Sequence, residues 1–488
     1  MRRSRLMLVL SMLLAGMLVL AACAGAEEDA GVAEEEPVVE PVVEEEEPVV
    51  EEEEPVVEEE EPVVEEEEPV AEEEEPVAEA GEAGACNEVT MIASGVGQEF
   101  ETLQTLAAQF EEERPGITVE LVEAAEAGSE RLGQYLQCFA TECTDLDIFQ
   151  IDVIWTGDLA EHLVDMSQYV EPEVIEQHFP AIIENNTVDG QLVALPWFTD
   201  AALLYYRTDL LEEYGFDGPP ETWEELEEMA ATIQEGERAD NPDFAGYVWQ
   251  GNAYEGLTCN AIEWIASNDG GTIVSPEGTI TVFNDNAIAA IDNAAEWVGT
   301  ISPSGVTGFQ EEDARTVWHA GNAAFMRNWP YAYSLSQESD AIAGNFDVMP
   351  LPNWEGAEAE SAACLGGWQL AVSRYSQCQD LAGEFAAFLT SAEAQRLRAL
   401  EASLIPTIES LYEDPEVVEA VPPNMLDVLR NATPRPSTAT APNYAQVSNI
   451  FFSNVHNVLT GQTDAETALA EVELELEDLL GFPTGEPE

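Results

Sequence analysis

Residues 88–122 read EVTMIASGVGQEFETLQTLAAQFEEERPGITVELV, and three local patterns follow one another in this stretch. Glu88–Ser94 is typical of a strand, and Gly95-Val96-Gly97 is typical of a turn. Glu99–Glu112 predicts a helix because its apolar residues recur at helical spacing. A Pro-Gly pair ends that helix, and Ile117–Val122 predicts the next strand. The stretch is therefore a strand–helix–strand unit.

The same alternation continues along the chain. Leu146–Ile151 is an apolar run that predicts a strand, and Glu221–Glu235 predicts an amphipathic helix with Thr222 as its N-cap. Alternating strands and helices indicate α/β lobes with central sheets. About 400 residues follow position 85, a length that predicts two domains.

The turn at Gly95-Val96-Gly97 resembles the start of a dinucleotide-binding fingerprint. Phe100 stands where the third glycine of that motif is required, so no nucleotide site is predicted here. A loop at the carboxyl end of a strand is still a natural place to hold a small ligand.

The chain begins with a pattern that indicates export. Arg2, Arg3 and Arg5 precede an apolar run that ends in small residues, as in a secretory signal. Cys23 directly after Ala22 resembles the lipobox of bacterial lipoproteins. The resemblance implies that residues 1–22 are a signal peptide and that Cys23 carries a lipid, which would hold the protein at the outer face of the cell membrane. A soluble secreted protein or one uncleaved membrane helix are the alternatives.

Residues 23–85 predict a disordered acidic tether. Positions 44–78 repeat a seven-residue unit of four glutamates, proline, valine, and valine or alanine. A proline in every unit opposes a helix, and the blocks of like charge repel one another. The two small apolar residues of each unit bury too little surface to form a core.

Charge and scattered histidines exclude several kinds of function. The chain has 100 acidic and 14 basic residues, which argues against nucleic acid as a partner and against adsorption to anionic lipid. The four histidines are dispersed and no Cys-x-x-Cys motif occurs, so no metal site and no cofactor are predicted. Cys138 and Cys143 are close enough to form a local disulfide, whereas other pairings stay open.

Aromatic residues lie next to polar residues in several segments, including the neighbourhoods of Trp155, Trp197, Trp329 and Trp368. Sugars present apolar faces and a ring of hydroxyls. Flat aromatic rings together with carboxylates and guanidinium groups suit that chemistry. Each such pair taken alone is also compatible with ordinary core packing.

A family resemblance gives a more specific interpretation. Residues 321–333, GNAAFMRNWPYAY, resemble the signature stretch of trehalose- and maltose-type substrate-binding proteins of ABC sugar importers. The same family's pattern appears in order in Ala202–Arg207, Pro220–Trp223, Trp249–Leu257, Leu365–Trp368 and Pro434–Pro436. The resemblance runs from about residue 88 to residue 482.

The resemblance implies a two-lobe α/β fold of the periplasmic-binding-protein type, similar to maltose-binding protein, with a hinge. The first lobe would comprise residues 86–200 and 349–402, and the second lobe residues 201–348 and 403–485. The chain would cross the hinge near Asp200, Val348 and Ser403.

The resemblance also implies a ligand-binding cleft between the lobes. Its expected residues are Glu99, Arg131, Asp152, Phe198, Asp200, Tyr254, Glu255, Trp329, Tyr331, Gly367, Trp368 and Arg435. Phe198 stands where relatives can have tyrosine, so one hydroxyl contact is expected to be missing. A turn-capping Asp152 or a surface-paired Arg131 are the structural alternatives.

The implied function is capture of a disaccharide or short oligosaccharide, similar to trehalose or maltose, and delivery to the transmembrane subunits of an ABC permease. The protein would be a monomer and would not be an enzyme. A surface glycan-binding protein or chemosensory receptor is the alternative, and a glycoside hydrolase is a more distant one. No pair of carboxylates stands out as the acid and base that hydrolysis requires.

Overall fold

The computed structural model describes residues 86–359 and 361–487. The predicted signal peptide (1–22), the predicted lipid-attachment residue Cys23 and all of the predicted tether lie outside the described residues. Among the described residues, no helix is both long enough and apolar enough to cross a membrane.

The strands follow one another as β1 (Glu88–Ala93), β2 (Thr118–Glu123), β3 (Ile148–Asp152), β4 (Thr187–Val188), β5 (Gln191–Leu192), β6 (Leu195–Ala201), β7 (Leu203–Arg207), β8 (Ala245–Val248), β9 (Ala323–Asn328), β10 (Phe346–Met349) and β11 (Leu365–Val372).

The α-helices are α1 (Glu99–Glu113), α2 (Gly128–Ala140), α3 (Thr156–Leu159), α4 (Pro172–Ile175), α5 (Pro180–Asn185), α6 (Thr208–Tyr214), α7 (Trp223–Glu237), α8 (Glu255–Ala266), α9 (Asp285–Trp297), α10 (Glu311–His319), α11 (Ala332–Glu338), α12 (Gln379–Leu389), α13 (Ala392–Ala402), α14 (Pro415–Ala420), α15 (Met425–Arg430), α16 (Ser437–Thr440), α17 (Tyr444–Leu459) and α18 (Ala465–Leu480).

Two central sheets organise the described chain, as the strand and helix pattern predicted. The five-stranded sheet has the order β2-β1-β3-β11-β6, with β1 parallel to β2 and β3, and β11 antiparallel to both of its neighbours. The four-stranded sheet has the order β10-β7-β9-β8. We call the five-stranded sheet with its helices the first lobe, and the four-stranded sheet with its helices the second lobe.

The chain passes repeatedly between the lobes. It leaves the first sheet at Ala201, enters the second at Leu203, and returns between Met349 and Leu365. The crossings expected near Asp200 and Val348 lie next to these points. At the first of these crossings a single residue, Ala202, joins β6 to β7.

The third crossing comes later than Ser403, where the sequence placed it. Ile405 forms a bridge with Thr199 of β6, and Ile408 forms one with His178, so this segment still belongs with the first lobe. Helices α17 and α18 instead pack on α8 and α9 of the second lobe. The chain therefore changes lobes after α15, because residues 404–408 pair with first-lobe backbone before they leave.

Local sequence signals account for the element boundaries. Helix α1 buries Leu103, Leu106 and Phe110 at helical spacing, and it ends one residue after the predicted end. Thr222 is the N-cap of α7 as predicted, since its hydroxyl accepts a hydrogen bond from the Glu225 amide at 3.2 Å, although the helix begins and ends two residues later than the predicted Glu221 and Glu235. These two elements confirm the reading of periodicity and capping.

The tryptophans divide into two groups. Eight of the ten are buried, and several of these pack against one another in the second lobe, including Trp223, Trp264 and Trp297. Trp329 and Trp368 are only partly buried. Most tryptophans thus serve the core, and the two exceptions lie in the cleft between the lobes.

Candidate functional site

A cleft between the two lobes encloses about 650 Å³ of space, counting its open mouth. Eleven of the twelve predicted site residues line this cleft: Glu99, Arg131, Asp152, Asp200, Tyr254, Glu255, Trp329, Tyr331, Gly367, Trp368 and Arg435. The structure thus brings together residues from positions 99 to 435.

Phe198 does not line the cleft. Its side chain is buried in the core, where it packs against Trp197 and lies 4.8 Å from the Arg398 guanidinium carbon. Only its carbonyl oxygen approaches the cleft strand β11, beside Gly367. A tyrosine at position 198 would therefore place its hydroxyl in the core and not in the cleft.

The first-lobe wall begins with Glu99, at the start of α1. Its carboxylate accepts a hydrogen bond from the Gln150 side-chain Nε2 at 3.0 Å. The side-chain Oε1 of Gln150 in turn accepts a hydrogen bond from the Ser94 backbone amide at 2.6 Å. Burial raises the pKa of Glu99, although Arg131 opposes that shift. The turn at residues 95–97 thus holds a carboxylate over the end of the sheet, where the sequence analysis placed a ligand loop.

Asp200 lies near the end of β6 at the base of the cleft. Its Oδ1 atom is buried and has no hydrogen-bond partner among the described residues. Burial raises the pKa of Asp200 well above its usual value, and the nearby charges of Glu99 and Asp152 add to that shift. An unpartnered buried acceptor is costly, so this oxygen is suited to a ligand donor.

Arg435 joins opposite sides of the cleft. Its Nη2 donates to Asp152 Oδ1 at 2.8 Å, and its Nη1 donates to Glu255 Oε1 at 2.9 Å. Glu255 also accepts hydrogen bonds from the Tyr444 and Ser448 hydroxyls, each at 2.6 Å. Asp152 and Glu255 are therefore largely satisfied by protein groups, whereas the buried Nε of Arg435 has no partner among the described residues.

Arg131 lies over the face of Trp368, with its guanidinium carbon 4.3 Å from the ring centroid. Its Nε and Nη2 donate to the carbonyl oxygens of Ala125 and Glu126 at 3.0 and 3.2 Å. Its buried Nη1 has no partner among the described residues. Helix α2 thus supplies a donor that the protein leaves unused, next to an aromatic ring.

The second-lobe wall carries Trp329 and Tyr331, just after β9. Trp329 donates from Nε1 to Glu311 at 3.3 Å, and Tyr331 donates its hydroxyl to Glu312 at 2.8 Å. Tyr254 donates to the second oxygen of Glu311 at 2.7 Å. These carboxylates at the start of α10 fix the orientation of the aromatic rings.

Two glycines allow close approaches at the cleft, one between strands β11 and β6 of the first-lobe sheet and one between the two walls. Gly367 has a φ of +128°, and a Cβ there would lie 2.8 Å from the carbonyl oxygen of Phe198. Gly97 has a φ of +58°, and a Cβ there would lie 2.5 Å from the ring of Tyr331. A larger side chain at either position would displace the backbone or the ring.

Sequence reasoning missed several cleft residues. The structure adds Ser94, Val96, Glu126, Gly128, Gly256, Cys259, Glu311 and Gly366. Gly366 and Gly256 belong to segments already singled out by the family resemblance. Glu311 had no such signal, because its role depends on α10 folding back against Trp329 and Tyr254.

The arrangement suits recognition of a neutral polyhydroxylated molecule. It combines aromatic rings with buried acceptors and donors that have no partner within the described ranges. No group of three or more histidine, cysteine, aspartate or glutamate side chains suited to a metal ion occurs in the described ranges.

Comparison with known proteins shows where this chain belongs. Residues 94–396 match the family model of the bacterial extracellular solute-binding proteins. A probable ABC transporter-binding protein of Deinococcus radiodurans is 47% identical over 396 residues, which cover 80% of this chain and 94% of the relative.

Solved structures agree with that assignment. The maltose-bound MalE3 of T. maritima has a TM-score of 0.76 and 39% identity, over 80% of this chain and all of that one. An ABC transporter solute-binding protein of Thermotoga lettingae TMO, bound to α-D-tagatose, has a TM-score of 0.71 and 23% identity, over 81% of this chain and all of that one. These matches confirm the two-lobe α/β fold, and the chain belongs to the bacterial extracellular solute-binding protein family.

Proposed function

We propose that the cleft binds a disaccharide or short oligosaccharide of the maltose or trehalose type. The observation that carries this proposal is a set of polar atoms without a partner in the described part of the chain, beside two partly exposed tryptophan rings. Asp200 Oδ1, Arg131 Nη1 and Arg435 Nε are all buried, and Trp329 and Trp368 border the same space. A sugar offers hydroxyls to the first group and apolar ring faces to the second.

The closely similar MalE3 structure supports this ligand class because it was solved with maltose bound. The match to an ABC transporter-binding protein supports delivery of the ligand to an ABC permease. In this role the chain binds its ligand without transforming it, and closure of the lobes is favoured by the ligand's higher affinity for the closed form.

Titration of the purified protein tests the proposal. Maltose, trehalose and sucrose are added separately while tryptophan fluorescence and heat of binding are followed, with D-mannitol as a polyol comparison. Saturable binding of at least one disaccharide, without release of glucose, is the expected result. Absence of binding to every disaccharide would overturn the ligand class, and liberated glucose would overturn the transport role.

Cys23 and residues 24–85 complete the proposed function. The lipidated cysteine keeps the sugar-binding lobes at the outer face of the membrane that contains the permease, and the acidic segment gives them reach. The match to extracellular solute-binding proteins supports an extracytoplasmic location. The variant Cys23→Ala is expected to appear in the culture medium instead of the membrane fraction, and retention in the membrane would contradict the anchor.

A further inference from the structure

Six cysteines lie in the described part of the chain, and two pairs are already disulfides. Cys86 is bonded to Cys378, and Cys138 is bonded to Cys143. Cys259 and Cys364 remain as thiols, and both are buried. Burial and the nearby Cys364 side chain raise the pKa of the Cys259 thiol. The remaining cysteines are therefore neighbours in the fold, although 105 positions separate them in sequence.

The pair lies where the two walls of the cleft meet. Cys259 lines the cleft from α8, one turn after Glu255. Cys364 immediately precedes β11, which carries Trp368 on the opposite wall. The Cys364 amide donates to Glu263 of α8 at 3.2 Å, so the backbone of this segment is already held against the helix. A bond between the sulfurs would join elements that belong to different lobes.

The surroundings of the pair favour oxidation during folding. The chain belongs to an extracellular family and contains two other disulfides, which persist only in an oxidising compartment. Burial raises the pKa of the Cys259 thiol well above its usual value. The thiolate needed for exchange is therefore available mainly before the core closes around the pair.

We propose that Cys259 and Cys364 form a third disulfide, which fastens the α8 wall of the cleft to the start of the β11 wall. The oxidant is a disulfide of the extracytoplasmic space, such as an oxidised dithiol protein or oxidised glutathione. One cysteine thiolate attacks that disulfide and releases its first sulfur as a thiolate. The second cysteine then attacks the mixed disulfide, forms the Cys259–Cys364 bond and releases the other sulfur. Two protons leave the pair, and the oxidant gains both electrons.

Trypsin offers a direct test because the chain contains no lysine and its arginines separate the cysteines. Exported full-length protein is alkylated under denaturing, non-reducing conditions and then digested. Cys259 lies in fragment 239–315 and Cys364 in fragment 328–374, and each fragment has a single cysteine. We expect these two fragments to be recovered covalently linked and to separate on reduction. Alkylation of both cysteines, or linkage of either to another fragment, would overturn the proposal.

A second measurement addresses the consequence of the bond, and this part rests on the proposed sugar-binding function. The variant Cys259→Ala/Cys364→Ala is compared with Cys138→Ala/Cys143→Ala, which removes a disulfide at the end of α2. We expect faster sugar dissociation only in the first variant, because only that bond joins the cleft walls. Equal dissociation rates in both variants would overturn the fastening role. The linked tryptic fragments do not depend on sugar, so failure of ligand binding is distinguished from failure of the disulfide.

Discussion

Each wall of the cleft presents a tryptophan with an arginine stacked on it, yet the two stacks are built differently. In the second lobe, the Arg327 guanidinium carbon lies 4.1 Å from the Trp329 ring centroid. Its Nε donates to Glu263 and its Nη1 to Gln250, each at 3.0 Å. In the first lobe, Arg131 stacks on Trp368 but leaves Nη1 without a partner among the described residues.

This difference indicates that the stack of Arg327 on Trp329 supports the fold, whereas the stack of Arg131 on Trp368 is available to a ligand. Arg327 and Glu263 are both fully buried and neutralise each other, so neither has much to offer a ligand. Arg131 donates only to backbone carbonyls and retains a buried donor beside the cleft. The same pair of residue types therefore orients a ring in one lobe and, by our proposal, contacts the ligand in the other.

Removing Arg327 is expected to have the largest effect. Arg327→Met leaves the Glu263 carboxylate buried without its partner, which costs about 3–5 kcal/mol of unfolding free energy. Urea denaturation measures this loss. The double variant Arg327→Met/Glu263→Leu is the control and should recover most of the stability, since neither charge of this buried ion pair remains. A single variant as stable as the parent protein would show that the ion pair is not structural.

Removing a tryptophan face should affect binding more than folding. Trp329→Ala is expected to weaken sugar affinity by about 2 kcal/mol, because a partly exposed ring in the cleft acts as a binding hot spot. Calorimetric titration measures the change, and Trp329→Phe is a matched control that keeps an aromatic face. Unchanged affinity in the alanine variant would place Trp329 outside the site.

Arg131→Met sharpens the contrast with Arg327. One donor to the ligand is lost, so affinity should fall by about 1.5 kcal/mol, the lower range for a hydrogen bond from a charged group. Unfolding free energy should fall less than in Arg327→Met, because no directly bonded carboxylate is left behind. If Arg131→Met lost as much unfolding free energy as Arg327→Met and kept its sugar affinity, the two arginine–tryptophan stacks would have the same structural role.

The carboxylates Glu263 and Asp200 differ in the same way, and a change at Asp200 is expected to have the smallest effect on stability. Glu263 is paired, whereas Asp200 has an oxygen without a partner among the described residues and a raised pKa that arises mainly from burial. Below about pH 4 Asp200 is protonated in both states, and as pH rises the unfolded chain ionises first. The contribution of Asp200 to the stability of the ligand-free protein should therefore decline as pH rises above 4 toward its folded-state pKa.

Asp200→Asn removes that contribution. The difference in unfolding free energy between the variant and the parent protein should shift in favour of the variant as pH rises above 4, as measured by denaturation at a series of pH values. A difference that stays constant with pH would contradict the raised pKa. Glu263→Gln cannot serve as a matched control for Asp200→Asn, because it also breaks the ion pair between Glu263 and Arg327.

Much of the architecture follows from local sequence. The strand, turn and helix at residues 88–113 form where periodicity and the Gly95-x-Gly97 turn predict them, because backbone propensity and burial agree there. The family resemblance located eleven cleft residues, since their motifs lie at the ends of strands and the starts of helices. Phe198 was assigned to the cleft by matching position, and its burial against Trp197 and Arg398 was not visible in sequence.

Three features were decided by tertiary packing alone. The late third crossing depends on Ile405 pairing with Thr199, the role of Glu311 depends on α10 meeting Trp329, and the proximity of Cys259 to Cys364 brings together distant segments. Helical periodicity and helix caps depend on residues only a few positions apart, so the sequence by itself determines the secondary-structure elements. Its motifs also determine the family to which the chain belongs. Hydrogen bonds between remote segments determine which arginine is satisfied and which retains a donor, and only the folded chain brings those partners together.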